Sequence, residues 1–266
     1  MIQQQNSFKW KVYKFLLRVR PTIIVHILKQ IVSFKRTNFK HLEGWFWIDP
    51  ISNLGIGIAE DIFEPEDRKL IKSNLSHGDI FIDIGANEGF YTVIGAKAVS
   101  ELGKVIAVEP QTRLMSILSK NVELNDLHNV TLINSAISDG QIGELEIYLS
   151  PSTNTGASSI TNKYFISNKQ AVVAQSLESI FDEYEITTAD FVKVDVEGFE
   201  AEVIRGAANL LADHRIQRLY VDFHASILQK RNIDAHELHD LIISYGYITV
   251  DRIFHPSGYN LYVLEK

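Results

Sequence analysis

The stretch that most constrains this chain is residues 78–92, GDIFIDIGANEGFYT. Residues 80–84 form an apolar run with one carboxylate, Asp83, near its end. Such a run reads as a strand buried on both faces, as inside a parallel sheet. The glycine turn GANEG, residues 85–89, follows, and an apolar helical pattern begins near Phe90. Glycines let a backbone approach a ligand closely, and the free N–H groups of a helix start favour anionic groups. About 20 residues after the last glycine, a second strand over 104–108 ends in Glu109, the distance at which an acid meets ribose hydroxyls. Strand, glycine turn, helix and acid in this order point to an adenosine cofactor.

The turn reads G-A-N-E-G and not G-x-G-x-x-G, so the third-glycine packing of a nicotinamide dinucleotide site is missing. Asp83 would also repel a pyrophosphate. A carboxylate there suits a cationic ligand, such as the amino group of S-adenosylmethionine; otherwise it caps the loop.

Composition narrows the class. A chain of 266 residues, 45% hydrophobic and 22% charged, suits one large α/β domain with an extension. With no cysteine, disulfides, thiolate catalysis and cysteine-held metals are excluded. The net charge of −7 conceals an asymmetry: residues 1–42 hold nine Lys or Arg and no acid, and the remainder holds 17 basic against 33 acidic residues. An acidic body excludes general nucleic-acid binding, and a basic arm suggests an anionic partner. The expected division is a basic amphipathic helical extension over 1–42 and a catalytic domain over 43–266.

Residues 8–36 read as one or two basic amphipathic helices broken at Pro21. The apolar run is cut by Arg18, Arg20 and Lys29, short of the roughly 20 residues a membrane span needs. Two readings stand for residues 8–40: peripheral contact with an anionic membrane, or a cap packed on the domain or on a second subunit in a homodimer. The expected location is cytoplasmic, with the inner membrane face as the peripheral variant.

Residues 45–49 and 56–59 read as an entry hairpin, and Glu64 to Asp67 as a helix start with Gly78 at its end. A helix over 111–126 leads to a third strand over 129–133, after which residues 134–136 stand at the carboxyl end, either to meet an adenine through the backbone and Ser135 or as an ordinary strand-end turn. Strands over 144–149 and 171–175 flank residues 150–170, a Ser/Thr/Asn-rich stretch read as a substrate lid with Tyr164 and Phe165 as contacts. Ser176 caps a helix over 177–184. The fourth core strand, 191–195, is FVKVD; the fifth, 219–224, is LYVDFH. Alternation puts Lys193 with Asp195, and Asp222 with His224, on one face each. Adjacent strands would bring all four to the carboxyl edge, where a buried lysine needs a carboxylate partner. A helix over 234–245 precedes strands over 247–253 and 259–264 around a turn at 255–258, an antiparallel close.

With these pieces in view, the chain resembles the FkbM-type family of S-adenosylmethionine-dependent methyltransferases. The stretches that carry this are GDIFIDIGANEGFYT, KVIAVEP, NVTLINSAISD and FVKVDVEGFEAEVIRGA, in order over about two-thirds of the chain. The resemblance implies a Rossmann-like class I methyltransferase fold: a seven-stranded, mostly parallel sheet with an antiparallel terminal strand. It implies methyl transfer, within EC class 2.1.1, to a hydroxyl of a sugar, glycan or secondary metabolite. Carried onto this sequence, it puts Asp83, Gly85, Asn87 and Gly89 in the methionine-side loop, supported by Tyr91 and Thr92. It puts Glu109 on the ribose, Ser135 and Ala136 beside the adenine, and Asp195, Glu197 and Gly198 at the active-site edge. The Glu-x-His pattern common after the fifth strand reads Asp222-Phe-His224 here, a departure at Asp222.

Methyl transfer to a hydroxyl needs in-line positioning and removal of a proton. His224 is the expected base, with Asp195 orienting it or the acceptor hydroxyl; a hydrogen-bonded strand-end histidine is the plain alternative. No metal is assigned, although Asp195, Asp222 and His224 are plausible ligands of a divalent ion. Two other classes stand as alternatives: an NAD(P)-dependent oxidoreductase or epimerase, and a non-catalytic, membrane-associated S-adenosylmethionine-binding protein.

Overall fold

A computed structural model describes Val12, Phe15 and residues 35–140, 143–149, 169–254 and 260–265. The amphipathic helices read over 8–36 fall almost wholly outside these residues. So do Tyr164 and Phe165 of the expected lid and the 255–258 turn.

The chain enters the described body as a hairpin, β1 (Thr37–Lys40) against β2 (Trp45–Ile48), antiparallel. The expected partner of β2, residues 56–59, is instead inside a helix, α1 (Asn53–Glu60). The L-G-I-G-I alternation of residues 54–58 imitates a strand's period of two, but Ser52 caps a helix here, its hydroxyl accepting from the Gly55 N–H at 2.9 Å. Gly55 answers a close approach, since a Cβ there would lie 2.0 Å from the Asp49 carbonyl oxygen. Next is α2 (Pro65–Ser73), with Pro65 at its first position and Glu66 and Asp67 in its first turn. It ends at Asn74; Gly78 belongs to the following turn.

The core unit runs β3 (Ile80–Ile84), α3 (Phe90–Val99), β4 (Lys104–Val108), α4 (Thr112–Leu124) and β5 (Val130–Ile133). Strands β6 (Ala136–Ile137), β7 (Gly143–Tyr148) and β8 (Lys169–Gln175) form a separate side sheet, ordered β6-β8-β7, that the sequence pattern did not reveal. Ser176 then caps α5 (Leu177–Glu183) as expected. The second half follows as β9 (Phe191–Val194), α6 (Glu200–Gly206), α7 (Ala208–Ala212), β10 (Arg218–Phe223), α8 (Ala225–Lys230), α9 (Ala235–Ser244), β11 (Ile248–Phe254) and β12 (Asn260–Glu265).

The main sheet has seven strands in the order β5-β4-β3-β9-β10-β12-β11. The five from β5 to β10 are parallel, and β12 runs antiparallel to both its neighbours. The order reverses between β3 and β9, the switch point where open α/β sheets bind ligands. Both faces are covered. Ile82, Ile84, Val192, Val194, Val221 and Phe223 pack against α5, α6 and α9. Phe81, Phe191 and Tyr220 point the other way, toward the hairpin, α1, α2 and α3. Alternation therefore sends Asp83, Lys193 and Asp222 to this second face, near the carboxyl ends of their strands.

No helix among the described residues is long and apolar enough to cross a membrane.

Candidate active site

The site is built over a buried charge network. Asp83 is wholly buried, 0% exposed. Its Oδ2 accepts from the Thr92 hydroxyl at 2.7 Å, and its Oδ1 lies 3.2 Å from Lys193 Nζ. Lys193 stands directly opposite Asp83 in the β3–β9 register and is 2% exposed. Its Nζ reaches Asp195 Oδ2 at 3.4 Å and sits over the Tyr91 ring, 5.3 Å from the centroid. Burial alone would lower the lysine's pKa, but Asp83 and Asp195 outweigh it and raise the value. The partner the sequence demanded for Lys193 is thus a pair of carboxylates, one on each side. Asp83 itself faces inward, and the carboxylate presented at the rim is Asp195, with 31% of its side chain exposed.

The glycine turn lies across the end of β9. Gly85 has φ +80°, and a Cβ there would fall 1.8 Å from the Asp195 carbonyl oxygen. Gly89, at φ +85° before α3, leaves no room either: a Cβ would meet Leu118 Cδ1 at 2.2 Å. Asn87 takes the left-handed conformation between them, at φ +52°. Its backbone N–H donates to Glu109 Oε2 at 2.9 Å, and Gln111 N–H donates to Glu109 Oε1 at 2.8 Å. Burial pushes Glu109 up to about 7, although the two N–H donors pull it down. Glu109 therefore ties the glycine turn to the end of β4. Tyr91 and Thr92 point beneath the turn: the Tyr91 hydroxyl donates to Glu64 Oε2 at 2.7 Å. Ser135 is buried and its Oγ accepts from Gln175 Nε2 at 2.6 Å, while Ala136 opens β6.

Across the switch point stands a second cluster. His224 follows β10 at the start of α8 and is buried. Its Nδ1 is 2.7 Å from Oε1 of Glu200, a carboxylate with 0% exposure. Its Nε2 is 3.2 Å from Glu197 Oε2 and 3.9 Å from Asp195 Oδ1. Glu197 and Gly198 turn sharply, at φ +50° and +94°, with Gly198 packed where a Cβ would strike Ile227. Burial would lower the histidine's pKa, but the hydrogen bond to Glu200 and the charges of Glu197 and Glu200 raise it well above its ordinary value. Burial, with Asp195 nearby, pushes Glu197 up to about 8. Asp222 is pushed up to about 8 for the same two reasons, and its Oδ1 is buried with no hydrogen-bond partner.

Lys193, Asp195, Asp222 and His224 thus converge as adjacent strands require. Two participants escaped the sequence reading. Glu200 was legible only as the fifth residue of VEGFE. Glu64, pushed up to about 7 by burial and by Asp195, looked like a helix start and nothing more.

The residues present fit S-adenosylmethionine. The two Glu109 oxygens, each taking one backbone N–H, retain a second lone pair for a ribose hydroxyl. The acidic rim suits a cationic donor.

A five-strand parallel core closed by an antiparallel hairpin, with this turn and acid at its switch point, defines a class I methyltransferase fold. A profile described as the Methyltransferase FkbM domain matches residues 83–249, and the chain belongs to that family. The family's methyl donor is S-adenosylmethionine. A probable cobalt-precorrin-6B C(15)-methyltransferase (decarboxylating) of Sulfurisphaera tokodaii is 42% identical over 64 residues, 24% of this chain and 33% of that protein. The hexuronic acid methyltransferase AglP of Haloferax volcanii is 25% identical over 159 residues, 60% of this chain and 62% of that protein. The chain therefore spans less than two-thirds of the length of these curated relatives. A solved methyltransferase FkbM from Methylobacillus flagellatus aligns over 76% of this chain and 51% of its own, at 18% identity and a TM-score of 0.47.

Proposed function

We propose that this methyltransferase methylates a hydroxyl group of a small-molecule or glycan acceptor. The observation that supports this reading is the pairing of two unlike half-sites across one switch point. The glycine turn with Glu109 suits the donor, and Asp195, Glu197 and His224 suit an oxygen acceptor. When bound, S-adenosylmethionine supplies a methyl group already activated as a sulfonium. The chain's own residues position and deprotonate. In this reading Glu109, Gly85, Asn87 and Gly89 hold the donor, and Ser135 and Ala136 flank its adenine. Asp83, Tyr91 and Thr92 act from beneath, through Lys193 and the start of α3.

On the acceptor side, Asp195 accepts a hydrogen bond from the incoming hydroxyl and aligns it. The hydroxyl proton passes to the Glu197–His224 pair, and Glu200 keeps the imidazole oriented by holding Nδ1. A hexuronic acid acceptor, as named for the Haloferax protein, would bring a carboxylate to this acidic rim. A neutral sugar hydroxyl fits it better.

The test is transfer of labelled methyl from S-adenosylmethionine into a panel of sugars, nucleotide sugars and lipid-linked glycans, with the product bond identified by mass spectrometry. Methyl ethers are expected. Methyl amines or methyl esters as the only products would overturn the hydroxyl assignment. His224→Ala should lower turnover at least a hundredfold, the usual scale of a lost proton acceptor, and leave S-adenosylhomocysteine binding intact. Unchanged turnover would remove His224 from the mechanism.

A further inference from the structure

Six carboxyl groups crowd this end of the sheet: Glu64, Asp83, Asp195, Glu197, Glu200 and Asp222. Two cationic side chains, Lys193 and His224, answer them. Lys193 is spent on Asp83 and on one oxygen of Asp195. What stands at the rim is an imidazole flanked by two half-exposed carboxylates. We infer that Asp195, Glu197 and His224 are the protein ligands of a divalent cation, held in place by Glu200.

Spacing is the first argument. One donor atom from each of the three lies within 4.8 Å of the others. In an octahedral shell with bonds of about 2.1 Å, neighbouring donors stand about 3 Å apart and opposite donors about 4.2 Å apart. His224 Nε2 and Glu197 Oε2, at 3.2 Å, already have the spacing of neighbours. Asp195 Oδ1, at 3.9 Å from Nε2, lies between the neighbour and opposite spacings.

The second argument is what lies behind the histidine. Metal-bound imidazoles characteristically give their other ring nitrogen to a carboxylate, which fixes the ring and raises its basicity. His224 Nδ1 has that partner at 2.7 Å in Glu200, whose side chain is wholly buried and whose Oε2 has no hydrogen-bond partner. Glu200 is itself steadied by the Gly198 N–H at 2.9 Å. A third observation is independent of both. Asp222, one residue before the Phe223 end of β10, has a buried Oδ1 without a hydrogen-bond partner, which calls for a donor such as a water.

Access and chemistry agree. Asp195 and Glu197 keep 31% and 26% of their side chains exposed, so an ion can enter and find open positions. One imidazole and two carboxylates suit a borderline-hard cation such as Mn²⁺. The open positions would take water and two neighbouring oxygens of the acceptor, as in a vicinal diol. With the ion bound, Asp195, Glu197 and His224 would serve as its ligands, and the cation would supply the acidifying of the acceptor hydroxyl that the Glu197–His224 pair supplies without it. This acceptor role rests on the methyl-transfer reading; the cation site does not.

The probe is Mn²⁺ alone, titrated into the purified full chain and followed by loss of the free-ion electron paramagnetic resonance signal. One ion per chain is expected. Glu197→Gln and His224→Gln should each weaken binding at least tenfold. Glu200→Gln, which removes no ligand, should weaken it about 10–100-fold. S-adenosylhomocysteine affinity, measured on the same samples, should stay within twofold and so separate a lost site from a lost fold. Absence of Mn²⁺ binding at millimolar ion overturns the inference. So does equal binding by the Asp195→Asn, Glu197→Gln, His224→Gln triple variant. If Mn²⁺ binds as described and S-adenosylhomocysteine binds no form, the cation site stands and the methyl-transfer reading fails.

Discussion

Lys193→Met tests the charge network on which the site is built. The substitution keeps an unbranched chain of similar length and removes only the charge. It strands Asp83, which has 0% exposure and, among the described residues, would keep the Thr92 hydroxyl as its close donor. The two charges are 2% and 0% exposed, so solvent screening offers little relief. Breaking a buried pair by removing one partner costs about 3–5 kcal/mol, against about 5–15 kcal/mol for a whole domain. Asp83→Asn should cost less, because Lys193 retains Asp195 at 3.4 Å and Thr92 retains an oxygen to donate to. The double variant removes both charges, and its loss should fall short of the sum of the singles by about 1–3 kcal/mol, the coupling expected of groups in contact. Urea unfolding of the four proteins at pH 7 gives the cycle directly. A Lys193→Met loss below 1 kcal/mol, or strict additivity, would refute the claim that Asp83 and Lys193 depend on each other.

The other predictions follow from the same geometry. Gly85→Ala forces a Cβ to 1.8 Å from the Asp195 carbonyl at a φ of +80°. It should cost about 2–5 kcal/mol in urea unfolding, summing left-handed strain and overpacking, and weaken S-adenosylhomocysteine binding; a neutral result would mean the turn does not press on β9. Turnover should rise with pH through about 8. A carboxyl pushed up to about 8, as Glu197 is, holds its proton below that value, and the Glu197–His224 pair accepts another only as it empties. A rate flat between pH 6 and 9 would exclude the pair as proton acceptor.

How much of this was legible in the chain can be judged residue by residue. The strand–turn–helix at 80–99 and the acid at 109 were plain, because a doubly buried strand and a glycine turn leave few other structures. The convergence of Lys193, Asp195, Asp222 and His224 followed from alternation once strands four and five were taken as neighbours, as they are. Residues 56–59 misled because glycine at every second position copies a strand's pattern. The reason for those glycines, the Asp49 carbonyl and the Phe63 side chain packed against α1, is tertiary. The direction of Asp83 was hidden for a similar reason. Which side of a strand meets solvent depends on what covers it, and Thr92 and Lys193 cover Asp83. Glu64 and Glu200 reach the site through partners 27 and 24 residues away, which no local pattern announces.

The most direct test of the central claim is calorimetric titration of the purified chain with S-adenosylhomocysteine, beside NAD. The geometry predicts one site per chain for S-adenosylhomocysteine, none for NAD, and loss of that site in Glu109→Ala. Binding of NAD without binding of S-adenosylhomocysteine would contradict the donor half-site and, with it, the assignment of the turn, Glu109 and the carboxyl edge.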